Sequence, residues 1–513
     1  MSAQTTELSI DDQLPVWQLA VASFVPPARR DKAQRWILQL PLIAILLLQA
    51  VLTQRLANTA FRDEALYIWT GHREIAHFFH GAVLYDKPDS YFSGAPVVYP
   101  VIAAVLDRAG GLELVRLLSL LFMLSATASI YYASCRLFTR RVATLAAFAF
   151  AVAGPTQHLG HFATFDAMAL SLIAGSMALG VSAVQKHHWR WAPLVAAMLA
   201  LAVVSKYAAA LFVPFVLSTM ALTASRRLFG VKLAAATGLL TAAILVALGL
   251  TIGKADVQGL KSTTTNRTAI EFTSVRVLAE QTWHFVGPWW VVAMLGAVIA
   301  AVTQRRRLLP LLLAAGMVAP FVYQAHIHES VSLDKHLDFG LVFGAPLIGL
   351  TATVTRAMWQ RLVVLAMSTW LLLTGLSVSN FLFHQWSNTT PLARVMSYAF
   401  KSDPYIKTLG DISEPLRYHF EDSTEYYQWS TTDSVTYQPK SGPPLTGLAA
   451  AKAGLAAHYW QYVYLDGVVG LSRDITPLMA KDGYKLTDTV VLHNDGGDDT
   501  YQIWQNFDAA AAP

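Results

Sequence analysis

Long apolar stretches alternate with short, mostly basic clusters over the first three quarters of the chain. The stretches lie at residues 37–51, 112–137, 143–156, 165–184, 191–205, 207–223, 233–252, 285–302, 308–323, 337–354 and 362–383. With flanking positions, each approaches the roughly 20 residues a helix needs to cross a ~30 Å hydrocarbon core. A further apolar piece at 96–106 is too short to span. The pattern predicts an all-α polytopic membrane protein with about eleven transmembrane helices.

The clusters between the stretches carry direction. Arg29, Arg30, Lys32 and Arg35 precede the first stretch. Arg140 and Arg141, Lys186 and Arg190, Arg226 and Arg227, Arg305 and Arg306, and Arg356 and Arg361 then follow every second crossing. Basic residues favour the cytoplasmic side. The expected organisation is therefore a cytoplasmic leader over 1–35, a membrane domain over 36–383 and an outer region over 384–513. Residues 54–111 form the first outer loop.

The last part of the chain changes period. Residues 459–465 and 484–493 read as strands, 476–480 as a helix, and Gly496 and Gly497 mark a turn before a strand at 500–507. A small extracytoplasmic α/β C-terminal domain is expected.

Composition supports this division. Of 513 residues, 54% are hydrophobic and 14% charged, against roughly 25% charged in soluble domains. That excludes a disordered chain and argues against an ordinary soluble enzyme. The single cysteine, Cys135, cannot form an intrachain disulfide and belongs to no zinc-binding pattern. Residues 385–513 hold 15 of the 33 acids and 9 of the 38 basic residues, a local net of −6 that leaves +11 for the rest. No basic tract suits nucleic acid.

Charge is scarce near the membrane, so the acids found there are candidates for function. Asp63 and Glu64 follow the first apolar stretch. After them Ala65, Ile68, Trp69, Ile75, Ala76 and Phe79 recur at helical spacing, with Arg73, Glu74, His77 and His80 elsewhere around the helix. This is the pattern of an amphipathic interfacial helix. Asp166 opens another stretch, and Lys206 interrupts two of them where an outer turn is required. A lysine there suits a phosphate or snorkels to headgroups. His326, His328, Glu329 and His336 cluster before the tenth stretch, but histidines two apart share a face only on a strand. A loop at the interface explains them better than a metal site.

Several of these segments resemble the GT-C membrane glycosyltransferases, most of all glycosyltransferase family 39 and its bacterial aminoarabinose-transferase-like relatives. The resemblance rests on Asp63-Glu64-Ala65 after the first span, the run PVVYPVIAAVL at 96–106, LVRLLSLLF at 114–122, Phe165-Asp166 and Ser205-Lys206-Tyr207. It covers roughly residues 36–225. It implies a polyprenyl-phosphate sugar donor bound from the lipid bilayer and an envelope lipid, polysaccharide or protein acceptor entering from outside.

By that resemblance Asp63 is the general base, and Glu64 and Asp166 assist or hold a divalent metal; no other cofactor is implied. Lys206, Arg62 and Lys87 are candidates for the donor phosphate. His161, Tyr207, Lys335 and His336 are weaker candidates for the substrate pocket. The sequence departs from the family where a Lys-Pro-Pro is common: here it reads Ser93-Gly94-Ala95-Pro96, with Lys87 and Pro88 upstream. The rival reading is a lipid or sugar transporter or flippase, which would be expected to show repeated halves and helices broken at midplane. A polysaccharide polymerase or ligase would place its main loop later.

Overall fold

Every apolar stretch is helical. The computed structural model describes residues 27–84, 88–251, 254–264, 272–303, 308–354, 357–468, 470–494 and 497–507. In chain order the first part forms α1 (Pro27–Gln54), α2 (Arg62–His80), α3 (Tyr99–Leu137), α4 (Arg140–Ala151), α5 (Gly154–Gly160), α6 (Phe165–Gln185) and α7 (Ala192–Ser205). It continues through α8 (Val213–Thr223), α9 (Arg227–Gly249), α10 (Lys254–Thr263), α11 (Val275–Thr303), α12 (Leu308–Ile327), α13 (Leu333–Leu350) and α14 (Met358–Phe383).

Among the described residues, seven helices are long and apolar enough to cross a membrane, or eight if α4 and α5, bent by 67°, form one span. Shorter apolar helices account for the other three expected stretches. Two of these, α7 and the 3-10 turn leading into α8, are short because the chain breaks between them at Lys206.

Position in the bundle follows side-chain character. Helix α13 carries Lys335, His336 and Asp338 and is almost wholly buried, so its polar groups face protein rather than lipid. Helices α9 and α14 lie at the periphery and expose Leu239, Leu365 and Leu373, as lipid-facing surfaces do. Helix α3 is interrupted at Gly110 and Gly111, the latter in the left-handed region at φ +69°. The short apolar piece thus forms a separate arm. It lies tight against α2: a Cβ on Gly71 would fall 1.9 Å from the Pro100 carbonyl oxygen.

The tail is an α/β domain. It comprises α15 (Thr390–Ser402), β1 (Thr408–Gly410), α16 (Ser413–His419), β2 (Trp429–Thr431), β3 (Thr436–Tyr437), β4 (Leu445–Thr446), α17 (Gly447–Ala456), β5 (Tyr462–Leu465), α18 (Gly470–Ile475), β6 (Lys485–Asn494) and β7 (Gly497–Gln505). Five strands form a sheet in the order β2-β1-β5-β7-β6, with β1 parallel to β2 and β5, and β7 antiparallel to β5 and β6. The strand, helix, strand, strand order expected from the sequence is present. The strands before it, two or three residues long, are too short to show a period.

This domain sits on α2 and changes how that helix must be read. The Arg417 guanidinium lies 3.8 Å above the Trp69 ring, and Tyr426 stacks on Trp69 at 5.5 Å. Ala65 and Ile68 are buried, whereas Phe79 and its neighbour Phe78 are exposed. The expected single apolar face is therefore divided. Its first half is covered by protein, and only the last turn presents aromatics outward.

Candidate functional site

A buried ion pair fixes the start of α2. Arg116 Nε and Nη2 donate to Glu64 Oε1 and Oε2 at 2.9 and 2.8 Å, and both side chains are fully buried. Glu64 also accepts from the backbone N–H of Phe61, the residue before the helix, at 2.9 Å and from that of Ala163 at 2.8 Å. Arg116 reaches the carbonyl oxygens of Asn58 and Thr59. A bidentate guanidinium–carboxylate pair adds geometric definition as well as energy. Glu64, expected to assist the reaction or hold a metal, is engaged by Arg116 and two backbone N–H groups, contacts that join three segments beside Asp63.

Two further acids each meet a lysine. Lys335 Nζ donates to Asp63 Oδ2 at 2.8 Å, and Lys206 Nζ lies 3.1 Å from Asp166 Oδ1. Asp63 remains one-third exposed, while Asp166, Lys206 and Lys335 are buried. Aromatic faces back both ammonium groups: Phe162 lies 4.9 Å from Lys335 and Phe165 4.9 Å from Lys206. Tyr67 stacks on Phe165 at 4.5 Å. Burial, and after it the charges of Asp63 and Asp166, push the Tyr67 hydroxyl well above its ordinary pKa, so it stays a neutral donor.

These pairs divide two cavities. The first, about 300 Å³, is lined by Asp63, His158, Phe162, Asp334, Lys335 and Trp386 among others. The second, about 250 Å³, is lined by Ser93, Lys206, Tyr207, Phe212, Tyr323 and His336 with mainly apolar walls. Lys335 and His336 are consecutive on α13, yet one lines each cavity. The helix start that places them is set by Ser332, a non-glycine residue in the left-handed region at φ 62°.

The break at Lys206 is held by the loop that departs from the family pattern. Ala95 N–H donates to the Val204 carbonyl and Tyr207 N–H to the Ser93 carbonyl, both at 2.8 Å. The backbone groups freed by ending α7 are thereby satisfied, as non-helical chain at membrane depth requires. The approach is so close that a Cβ on Gly94 would lie 2.0 Å from the Ser205 carbonyl oxygen.

The other expected residues fall in different places. Arg62 turns to the tail, pairing with Glu414 at 3.1 Å and with Asp433. Burial works to lower its pKa, but those two carboxylates raise it overall. In this arrangement it ties α2 to the tail domain. His161 packs at 5.4 Å from Phe383 and 3.6 Å from Glu113 Oε2, away from the lining of both cavities. Burial, then the nearby Arg116 charge, lower its pKa and keep it neutral. Lys87 lies outside the described residues.

The geometry adds His158. It lines the first cavity, packs at a tilt 4.6 Å from Phe162, and has no hydrogen-bond partner on either ring nitrogen among the described residues. In the sequence it is one of several histidines near the outer face, with nothing local to separate it from His161. The His326, His328 and Glu329 segment gathers no metal-ligating group of three among the described residues. His328 instead stacks on Phe272.

Residues 93–251 match the family described as dolichyl-phosphate-mannose-protein mannosyltransferase. Comparison with curated protein sequences finds no significant match. Among solved structures the chain is similar to ArnT from Cupriavidus metallidurans. In the apo state the TM-score is 0.61 at 14% identity, covering 94% of this chain and 99% of that one. Bound to undecaprenyl phosphate it is 0.59 at 14% identity, covering 94% and 100%. It is also similar to the oligosaccharyltransferase AglB from Archaeoglobus fulgidus in complex with an inhibitory peptide and a dolichol-phosphate. There the TM-score is 0.57 at 11% identity, covering 93% of this chain and 75% of that one. The chain has the GT-C fold.

Proposed function

We propose that this chain is an integral-membrane glycosyltransferase. It moves a hexosyl or pentosyl group from a polyprenyl-phosphate donor to a hydroxyl-bearing acceptor at the outer face of the membrane. The observation that carries the reading is the placement of Asp63 with Lys335, and Asp166 with Lys206, between a polar cavity and an apolar one. Transfer from an amphipathic donor to a polar acceptor needs that arrangement. The similarity to structures that hold undecaprenyl phosphate and dolichol-phosphate supports it.

In this reading the acceptor enters the first cavity and places its hydroxyl against Asp63. The carboxylate takes the hydroxyl proton as the oxygen attacks the anomeric carbon, a step to which a positioned base contributes about 10²–10⁴-fold. The bond from that carbon to the phosphate oxygen breaks, and its electron pair leaves with the lipid phosphate. Lys206, at the rim of the apolar cavity with Tyr207 and His336, faces the charge that develops there. Lys335 holds Asp63 in orientation. Asp166 keeps Lys206 in place rather than taking part in bond making.

A divalent metal is not required to balance these carboxylates, because Glu64 is matched by Arg116, Asp63 by Lys335 and Asp166 by Lys206. The sidedness follows from the basic clusters, which leave α2, the site and the tail domain together on the outer side.

Purified protein in lipid nanodiscs, given labelled polyprenyl-phosphate sugars and membranes of the native host as acceptor, should transfer label. Wild-type transfer that persists undiminished in Asp63→Asn would overturn the base assignment. No transfer from any polyprenyl-phosphate sugar, with lipid or sugar movement across vesicles instead, would overturn the enzyme reading in favour of transport.

A further inference from the structure

A second polar cluster lies where the tail domain meets the arm of α3. His72 on α2, Asp107 on α3 and Glu421 just beyond α16 each offer one ligand atom, all within 4.8 Å of one another. The same imidazole nitrogen, Nε2, faces both acids, at 2.9 Å from Asp107 Oδ2 and 3.5 Å from Glu421 Oε1. All three side chains are at most one-fifth exposed.

We propose that His72, Asp107 and Glu421 form a divalent transition-metal site, of zinc type, that staples the tail domain to the juxtamembrane helices. Three features of the cluster support this. An imidazole and two carboxylates match the donor set zinc takes from proteins, with water completing a tetrahedron. Metal–nitrogen and metal–oxygen bonds of roughly 2.0–2.2 Å put tetrahedral ligand atoms about 3.4 Å apart, and the two measured separations bracket that value. Charge also favours an ion: two carboxylates converge on one imidazole nitrogen in a largely buried setting, and a divalent cation offsets the negative charge they bring together. Arg108 contributes positive charge near Glu421 but cannot ligate a metal.

The surroundings orient the ligands. Tyr418 donates to Asp107 Oδ1 at 2.5 Å and leaves Oδ2 for the shared position, the kind of outer hydrogen bond that fixes metal-ligating carboxylates. The ligands come from residues 72, 107 and 421, so binding joins segments that neither helix propensity nor local sequence connects.

The test uses the full chain in detergent, freed of any affinity tag and of adventitious metal, with Zn²⁺ or Co²⁺ alone as the probe. One equivalent of metal per chain after dialysis, with a raised Tm, is expected. His72→Ala and Glu421→Gln should weaken binding at least tenfold, and Tyr418→Phe about tenfold. Asp63→Asn should retain the full equivalent. Cobalt absorption from the wild type gives a readout that needs no variant to fold. Substoichiometric metal in the wild type, binding unchanged in both His72→Ala and Glu421→Gln, or loss of the ion in a folded Asp63→Asn variant would each overturn the proposal.

Discussion

Lys335 Nζ and Asp63 Oδ2 are joined at 2.8 Å across 272 residues of sequence. The contact ties the first turn of α2 to the first turn of α13, which is almost wholly buried. It also makes the exposed acid of the site dependent on a helix start far along the chain. The ammonium fixes one carboxylate oxygen of a side chain that lines the first cavity.

Replacing Asp63 by asparagine removes the proton acceptor while keeping size and hydrogen bonding to Lys335. Transfer should fall by about 10²-fold or more, with KM for the lipid donor nearly unchanged. Initial rates over a range of donor concentrations separate the two parameters. A large rise in donor KM with kcat intact would move Asp63 from base to donor ligand.

The Asp166–Lys206 pair is buried, so removing either partner alone leaves an uncompensated charge. Asp166→Leu and Lys206→Met should each destabilise the protein by about 3–5 kcal/mol. The Asp166→Leu, Lys206→Met double variant should recover much of that loss while losing transfer. A thermal-unfolding double-mutant cycle measures the coupling, and additive losses would show that the two side chains do not act as a pair.

Arg116 should tolerate no shorter cation. Arg116→Met is expected to cost about 3–5 kcal/mol through the abandoned Glu64 charge. Arg116→Lys should restore little, because one ammonium cannot serve two carboxylate oxygens and two backbone carbonyls in a fixed fork. A Tm for Arg116→Lys equal to the wild type would contradict this role.

Gly94 stands where a side chain has no room. Gly94→Ala should push the 93–95 loop off the Lys206 break and raise donor KM, because Lys206 and Tyr207 line the second cavity. Donor titration with the purified variant checks this; unchanged KM and Tm would mean the loop yields without moving the break.

The tail domain should loosen when its contact with α2 is cut. Arg417→Ala removes a guanidinium stacked 3.8 Å over Trp69, a contact of about 2 kcal/mol when desolvated. Limited proteolysis should then cleave faster between residues 384 and 412. Cleavage at the wild-type rate would show that Arg62, with Glu414 and Asp433, suffices to hold the domain.

Legibility differed between parts of the molecule for physical reasons. The long helices and the β6–β7 hairpin were evident because burial imposes a local repeat on ten or more residues. The tail strands β1 to β4 offered no such window. Lys335 is marked only weakly, by the family resemblance, while Asp63, Asp166 and Lys206 stand out because charge near a membrane is rare; the structure brings all four together. Glu64 and Arg62 stood out for the same reason, yet rarity does not reveal the partner. Arg116 meets one of them, and the tail domain the other.

By itself, the sequence determined that this is a helical membrane protein with a small α/β tail, and it marked the few charges that lie near the bilayer. Those properties follow from hydrophobicity and period, which each segment carries locally. Only the tertiary structure decided what each charge does. An ion pair depends on two side chains arriving within a few ångströms, and that distance is set by helix packing between segments that share no local signal. Asp63 faces a cavity while Glu64, its neighbour, is locked away, because successive residues of a helix point about 100° apart.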